Sequence, residues 1–313
     1  MNSRSDPPTQ GAVFPGSFVK ACPCSPGAVS CGYRNANLFT GCPFDCSYCI
    51  LQAYLPSRDP VFFRNAGEWE RDLAEAAAAE PCLRIGTGEL ADSLALEVIR
   101  PLAADLLAVC ARFPQVVFEF KTKSVEVSAL LAAGEVLPNV VASWSLNPQT
   151  LIVAEEHRTP SLSERLAALE AVAAYGYRVG IHFDPLVRFP GWEEAYTGLI
   201  TDIRARVRPD RIAWWSLGAL RFPPALMEVL LRRETSLLRQ ELVPGFDGKF
   251  RYFKPRRLEM FARLVRTIRA SISRDVPLYL CMEDDEVWRE VLPERKAEKA
   301  DLNRFLYGMA LRR

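Results

Sequence analysis

The hydrophobic positions of this chain follow two alternating periods from about residue 37 onward. The run QVVFEF at 115–120 alternates apolar and polar residues as a strand does, whereas Leu162, Leu166, Leu169 and Val172 recur at helical spacing. These patterns predict strands at 37–40, 82–85, 115–120, 140–146, 177–183, 211–217 and 277–282. They predict helices at 68–80, 92–112 with a break at Pro101, 124–133, 161–175, 192–207 and 255–271.

Strands and helices thus alternate in six or seven units, which implies parallel strands joined by right-handed crossovers. The sequence therefore predicts an α/β fold, a complete or partial (β/α)6-type TIM barrel. Residues 1–30 are rich in Pro, Gly and Ser, without a period, and are expected to form an irregular lead-in. Residues 31–313 are expected to form a single barrel domain with C-terminal helical elements.

The composition is that of an ordinary globular protein, with 49% hydrophobic and 25% charged residues and a net charge of +1. This balance gives no overall attraction to nucleic acid or membrane. No apolar run reaches the roughly 18 residues of a spanning helix, and the N-terminus lacks the order of a secretory signal. We therefore expect a cytoplasmic protein without a membrane partner, whose nine cysteines serve ligation or are buried.

Three of these cysteines lie close together, and their spacing is the strongest chemical signal in the chain. Cys42, Cys46 and Cys49 are separated by three and then two residues, and the predicted barrel places them near its C-terminal mouth. An iron-sulfur cube held by three cysteines leaves one iron open to a small molecule. The alternative is a structural zinc site with Cys31 or a histidine as fourth ligand.

This spacing after the first strand of a barrel resembles the radical S-adenosylmethionine (SAM) superfamily. The wider run CGYRNANLFTGCPFDCSYCILQAYL at 31–55 resembles the spore photoproduct lyase family within it, and a weaker likeness extends over most of 31–285. The resemblance implies that Cys42, Cys46 and Cys49 hold a catalytic 4Fe-4S cluster whose open iron binds SAM. It further implies reductive cleavage of SAM to a 5'-deoxyadenosyl radical, a reducing donor of the flavodoxin or ferredoxin type, and repair of a DNA photoproduct as the lyase reaction.

The resemblance also assigns cofactor-binding residues at the predicted strand ends. Tyr48 would lie near the adenine, and Lys123 would hold the cofactor carboxylate. Gly86, Gly88 and Glu89 match the glycine-rich motif that receives the methionyl amino group, and Ser145 and Asn147 match a pair that bonds the ribose. The alternatives are an ordinary strand-to-helix turn at 86–89, a solvated lysine, and a strand-ending turn closed by Pro148.

Further polar residues end the later strands. His182 and Asp184 are candidates for substrate contact or proton transfer, or else a pair that fixes the turn at Pro185. Glu283, Asp284 and Asp285 allow the same two interpretations. Cys22, Cys24 and Cys31 form a second metal site or redox pair in one interpretation, whereas Cys82, Cys110 and Cys281 are expected to be buried and inert.

The chain departs from the family pattern at two positions. The family uses a cysteine after the second strand to return a hydrogen atom, but the stretch at 84–92 has no thiol near Gly86. Ile50 stands where a tyrosine is expected after the third cluster cysteine. Cys281 is an alternative hydrogen donor if it is not simply buried.

A basic segment offers a separate route to nucleic acid. Residues 251–269 carry seven arginines and lysines beside Tyr252 and Phe253, which suits phosphate contacts and base stacking. Leu258, Phe261 and Val265 instead predict an amphipathic helix with solvated arginines. Two rival functions follow: a radical enzyme acting on RNA or peptide, and a non-catalytic, zinc-stabilised nucleic-acid-binding protein.

Overall fold

The computed structural model describes residues 9–10, 12–270, 272, 274–293 and 299–312. Its centre is one eight-stranded sheet whose strands lie side by side in chain order. The strands are β1 (Val19–Ala21), β2 (Arg34–Ala36), β3 (Arg84–Gly86), β4 (Val117–Thr122), β5 (Val140–Ser145), β6 (Arg178–Leu186), β7 (Ile212–Ala219) and β8 (Leu278–Leu280).

Strand β1 runs antiparallel to β2, and every later neighbour pairs in parallel. Strands β1 and β8 form the two edges of the sheet, so the predicted barrel is a partial one. The helices are α1 (Leu51–Tyr54), α2 (Trp69–Ala79), α3 (Ala103–Arg112), α4 (Ser128–Leu131), α5 (Gln149–Glu155), α6 (Leu162–Tyr175), α7 (Trp192–Arg206), α8 (Pro224–Arg232), α9 (Lys254–Arg269), α10 (Asp285–Val291) and α11 (Lys299–Ala310).

Alternating side chains divide each strand between a cavity and the packed core. Along β4, the side chains of Glu119 and Lys121 line a cavity at one face of the sheet. Phe118 and Phe120, which alternate with them, are buried in the hydrophobic core. This period of two explains why the alternation in 115–120 predicts the strand correctly. Other polar strand residues line the same cavity, namely Ser145 on β5, His182 on β6 and Ser216 on β7.

Helix α6 begins and ends where the sequence predicts. The Ser161 side chain accepts from the Glu164 backbone N–H and the Glu164 carboxylate accepts from that of Ser161, a complete capping box. Gly176 ends the helix with φ of 127°, a conformation that disfavours other residues.

Several elements differ from the sequence prediction. The strand expected at 37–40 lies earlier, at Arg34–Ala36, while Phe39–Thr40 pairs instead with Val61–Phe62. The helical stretch expected at 92–112 is helical only after its predicted break at Pro101, since α3 begins at Ala103 and the residues before Pro101 form turns. The lead-in, of which residues 1–8 and 11 lie outside the described part, contributes β1.

Short elements complete the cavity mouth. Phe250–Tyr252 is the middle strand of a small antiparallel sheet, with Arg221–Phe222 and Leu242–Pro244 on its sides. Asp45–Cys46 pairs with Glu156–His157. In the part of the chain described, every helix is too short or too polar to cross a membrane.

Candidate functional site

A cavity of about 370 Å³ lies at the carboxyl ends of the parallel strands. Parallel α/β sheets bind their ligands at this end, because the loops that follow the strands converge there. Most of the predicted site residues line this one space: Cys42, Cys46, Tyr48, Cys49, Gly88, Glu89, Lys123, Ser145, His182, Asp184 and Cys281. Gly86 and Asn147 lie outside its lining.

The cysteine loop is fastened to the end of α5. Residues Asp45–Cys46 form two rungs of an antiparallel ladder with Glu156–His157, and the Ser47 N–H donates to the Glu155 carbonyl at 2.7 Å. Asp45 itself is held by Arg58 at 2.7 Å and by Arg233. The loop is therefore anchored on both sides of Cys46.

Gly41 allows the chain to enter this loop. Its φ is 92°, and a Cβ atom there would lie 2.4 Å from the Asp59 carbonyl oxygen. Only glycine tolerates both the backbone conformation and this close approach. The Cys42 N–H then donates to the Arg58 carbonyl at 3.0 Å, which fixes the first thiol of the loop.

Cys46 of the loop is buried, whereas Cys42 and Cys49 are partly buried. Burial, together with the nearby Asp92, raises the pKa of Cys42 to about 12, and burial raises the pKa of Cys46 as well. Both side chains are therefore protonated at neutral pH until a metal displaces the proton. Among the residues that the structure describes, no three His, Cys, Asp or Glu side chains are arranged to hold a single metal ion.

Tyr48 belongs to a buried polar network behind the loop. Its hydroxyl donates to Glu156, whose carboxylate also accepts from Asn147 Nδ2 at 2.7 Å and forms an ion pair with Arg165 at 2.6 Å. The Asn147 Oδ1 atom accepts from the Tyr196 hydroxyl at 2.7 Å. Both ends of the Asn147 amide are thus engaged inside the protein, and only Ser145 of the expected ribose pair faces the cavity.

The glycine-rich turn after β3 has two different functions. Gly88 and Glu89 face the cavity, and Asn37 Nδ2 donates to the Glu89 carboxylate at 3.3 Å. A Cβ at Gly86 would lie 1.9 Å from the Tyr33 hydroxyl oxygen. Gly86 therefore makes room for Tyr33. Burial raises the pKa of Glu89, because the carboxylate loses hydration there.

Lys123 lies beside the cysteine loop. Its Nζ is 5.7 Å from the centre of the Tyr48 ring. Burial opposes the charge, but the neighbouring Glu156 carboxylate raises the pKa of Lys123 above its ordinary value. Lys123 is therefore a cation next to the loop thiols, where it can form an ion pair with an anionic group of a ligand.

Asp92 is a site residue that the sequence did not single out. One carboxylate oxygen accepts from the Lys123 N–H at 2.7 Å, and the other accepts from the N–H groups of Leu94 and Ala95 at 3.0 and 2.9 Å. Asp92 thus fixes the backbone of Lys123 to the turn that follows Glu89. The only feature of the sequence that points to Asp92 as a site residue is its position three residues after Glu89.

Glu119 and His182 form a hydrogen-bonded pair in the cavity wall. His182 Nε2 lies 2.8 Å from Glu119 Oε1, and the Trp214 indole nitrogen lies 3.3 Å from the same Nε2. Burial opposes the Glu119 charge, but His182 lowers the pKa of that carboxyl to about 2, while burial lowers the pKa of His182. These directions leave Glu119 ionised and make His182 less ready to carry a positive charge.

Asp184 is paired, as one of the two sequence interpretations requires, but with an arginine. Arg221 Nη1 lies 3.1 Å from Asp184 Oδ1, and Arg221 Nη2 lies 3.6 Å from the Cys281 sulfur. Burial opposes the Asp184 charge, but Arg221 lowers the pKa of that carboxyl to about 2. The pair remains ionised and lines the part of the cavity near β8.

The acidic residues after β8 have structural roles. Glu283 is buried in an ion pair with Arg257 at 3.0 Å. The Asp284 side chain accepts from the Val287 N–H and caps α10. Neither residue lines the cavity wall, which agrees with the interpretation of this group as turn-forming.

The basic helix α9 is largely neutralised by neighbours. Lys254, Arg256, Arg257 and Arg263 each pair with a glutamate, and Arg257 is buried. Phe261, Leu264, Val265 and Ile268 form its buried face, which confirms the amphipathic pattern. These ion pairs favour the interpretation of α9 as a packed surface helix over that of a phosphate-tracking face.

Comparison with known proteins identifies the family. A family model described as spore photoproduct lyase matches residues 28–217. The spore photoproduct lyases of Clostridium acetobutylicum and of a Geobacillus species are 23% identical over 172 residues and 29% identical over 180 residues. The two alignments cover 52% and 53% of this chain and 49% of each relative, so the chain spans about half the length of the curated relatives it matches.

Solved structures agree on the fold. A spore photoproduct lyase variant with dinucleoside spore photoproduct has a TM-score of 0.73 at 22% identity, covering 83% of this chain and 79% of that chain. Streptococcus suis SuiB bound to S-adenosylmethionine has a TM-score of 0.53 at 14% identity, covering 85% of this chain and 53% of that chain. With a family model that matches more than half of its residues, the chain belongs to the spore photoproduct lyase family.

Proposed function

We propose that this chain is a radical SAM lyase in which Cys42, Cys46 and Cys49 hold a 4Fe-4S cluster. The observation that carries the proposal is the meeting of these three thiols with Tyr48, Glu89 and Lys123 around one cavity. A cube binds each cysteine to a different iron, so its ligands do not need to converge on one point as zinc ligands do. Three thiolates without a fourth protein ligand are the donor set that leaves one iron of such a cube open.

When bound, the cluster supplies one electron that cleaves SAM to a 5'-deoxyadenosyl radical. The residues of the chain bind and orient the cofactor. The Glu89 carboxylate accepts from the methionyl ammonium group, and the Lys123 ammonium group pairs with the methionyl carboxylate. Tyr48 and Ser145 line the same cavity and are the candidate contacts of the adenine and of the ribose.

We further propose a DNA photoproduct as substrate. Support comes from relatives: one structure of a spore photoproduct lyase variant carries both AdoMet and dinucleoside spore photoproduct. In this chain the cavity continues past Ser145 to His182, Arg221 and Lys249, which leaves polar and cationic groups for a nucleotide. We propose a reducing protein of the flavodoxin or ferredoxin type as the electron donor. The proposed location of the enzyme is the cytoplasm.

Incubation of the reconstituted protein with SAM and dithionite tests the proposal, with 5'-deoxyadenosine measured by chromatography. We expect 5'-deoxyadenosine from the wild type and from Cys110→Ser, whose thiol is buried away from the cavity, and none from Cys46→Ser. Dinucleoside spore photoproduct, an RNA oligonucleotide and a peptide are then compared as substrates. Conversion of the RNA or the peptide alone would contradict the DNA assignment, and absence of SAM cleavage would contradict the enzyme class.

A further inference from the structure

The segment before β2 folds onto the end of β8 and brings its cysteines into the cavity. The Val29 N–H donates to the Glu283 carbonyl at 2.8 Å, and the Ser25 N–H lies 3.3 Å from the Met282 sulfur. As a result, Cys22, Cys31 and Cys281 line the same cavity as the cysteine loop. We call these three residues the thiol wall.

Cys281 has the most defined surroundings within the thiol wall. Arg221 Nη2 donates to its sulfur at 3.6 Å, and the same guanidinium is held by Asp184 at 3.1 Å. Gly218 allows this arrangement, because a Cβ there would lie 2.7 Å from Asp184 Oδ1. The Cys281 thiol is thus positioned by a fixed ion pair at the cavity surface.

The protonation state of Cys281 suits hydrogen transfer. Burial and the neighbouring Asp184 raise the pKa of this thiol, although Arg221 acts in the opposite direction. The sulfur therefore keeps its hydrogen at neutral pH. A thiol can give up a hydrogen atom to a carbon radical because its S–H bond is weaker than the C–H bond that forms, whereas a thiolate carries no hydrogen to give.

We propose that Cys281 is the hydrogen-atom donor that quenches a carbon-centred substrate radical in this cavity. The proposal rests on the proposed function, which supplies the radical. In the step, the S–H bond breaks homolytically and a C–H bond forms, so the substrate radical gains one hydrogen atom and the sulfur becomes a thiyl radical. One electron from the reducing donor and one proton from solvent then restore the thiol.

The placement explains why the stretch at 84–92 can lack a thiol. In this stretch the Tyr33 hydroxyl group fills the space that a side chain at position 86 would need. The donor instead directly follows β8, the edge strand of the same partial barrel. A carbon radical held between the cysteine loop and the thiol wall would have Cys281 within the same space.

A turnover experiment in D2O tests the role of Cys281, because thiol hydrogens exchange with solvent. The reconstituted wild type, Cys281→Ser, Cys31→Ser and Cys22→Ser proteins are incubated with SAM, dithionite and dinucleoside spore photoproduct. Serine preserves the size and the contact with Arg221 but has an O–H bond too strong to donate. We expect a deuterium-labelled product from the wild type and about a tenfold or greater loss of product for Cys281→Ser, with SAM cleavage retained.

Substrate affinity provides a readout that does not require turnover. Calorimetric titration of dinucleoside spore photoproduct into the reconstituted wild type, Cys281→Ser and Cys82→Ser proteins gives three dissociation constants. We expect equal affinities, because Cys281 acts in hydrogen transfer and Cys82 lies outside the cavity lining. A loss of product in Cys281→Ser that is matched by an equal loss of affinity would overturn the proposal.

The outcomes separate the two claims. Labelled product at the wild-type rate from Cys281→Ser, or loss of product only in Cys31→Ser or Cys22→Ser, would overturn the role of Cys281 while leaving SAM cleavage in place. Absence of SAM cleavage in every variant would overturn the proposed function, and this inference with it.

Discussion

Glu156 lies opposite Cys46 across the antiparallel ladder that fastens the cysteine loop. The same residue accepts the Tyr48 hydroxyl and is neutralised by Arg165, whose side chain is fully buried. One carboxylate therefore links the loop, through both backbone and side chain, to helix α6. The loop geometry depends on this buried charge pair as well as on the cysteines.

Replacement of Arg165 by methionine should destabilise the fold strongly. It leaves the buried Glu156 charge without its ion-pair partner, a change that typically costs about 3–5 kcal/mol. Urea denaturation gives the free energy of unfolding. The matched control is Arg206→Met, since Arg206 and Glu170 are 41% and 44% exposed and such pairs contribute about 0–1 kcal/mol. Equal losses for both variants would contradict the role of the buried pair.

The Asp184–Arg221 pair predicts a pH-dependent stability. Folding lowers the pKa of Asp184 from 3.8 to about 2, so the ionised carboxylate favours the folded state. This contribution, about 2 kcal/mol at neutral pH, is complete above the unfolded pKa and is lost as the pH falls through the folded value.

Asp184→Asn removes this contribution. The difference in unfolding free energy between the wild type and the variant should therefore shrink, to about a third, between pH 5 and pH 2.5. Urea unfolding at each pH measures it. A difference that stays constant with pH would show that Asp184 does not titrate with this shift.

Lys123→Gln should weaken SAM binding without affecting the cluster. The variant loses the cation next to the loop but none of the thiols, so iron content should stay the same while the dissociation constant rises about tenfold. Calorimetric titration measures the affinity. Lys254→Gln, at an exposed ion pair of α9, is the control and should bind SAM normally. Unchanged affinity in Lys123→Gln would remove this residue from the cofactor site.

Gly86→Ala tests whether this glycine serves packing. The added Cβ would lie 1.9 Å from the Tyr33 hydroxyl oxygen and 2.6 Å from the Glu119 carbonyl oxygen, so we expect a loss of about 1–3 kcal/mol. Adding Tyr33→Phe should restore part of the stability. Gly198→Ala, in α7 with open space around it, should instead stabilise by about 0.5–1 kcal/mol. A Gly86→Ala variant with an unchanged free energy of unfolding would contradict the close contact.

Local patterns predict the half-barrel and much of the site. Alternation predicts β4, a capping box predicts α6, and the spacing of Cys42, Cys46 and Cys49 indicates the cluster loop, because each signal lies within a few residues. The chain order of the strands follows from the parallel crossover rule.

Contacts between distant residues could not be predicted in this way. Tyr48 bonds Glu156 across 108 positions, and this network occupies Asn147, which the family resemblance assigns to the ribose. The thiol wall likewise depends on how the segment before β2 folds onto β8, since no period in the sequence relates Cys31 to Cys281.

The central claim is that the three loop cysteines hold a 4Fe-4S cluster open to SAM. Its most direct test is electron paramagnetic resonance of the anaerobically reconstituted, dithionite-reduced protein, recorded with and without SAM. We predict about four irons and four sulfides per chain and an S = 1/2 signal that changes when SAM is added, in the wild type and Cys110→Ser but not in Cys46→Ser. Bound zinc with no such signal would contradict the claim.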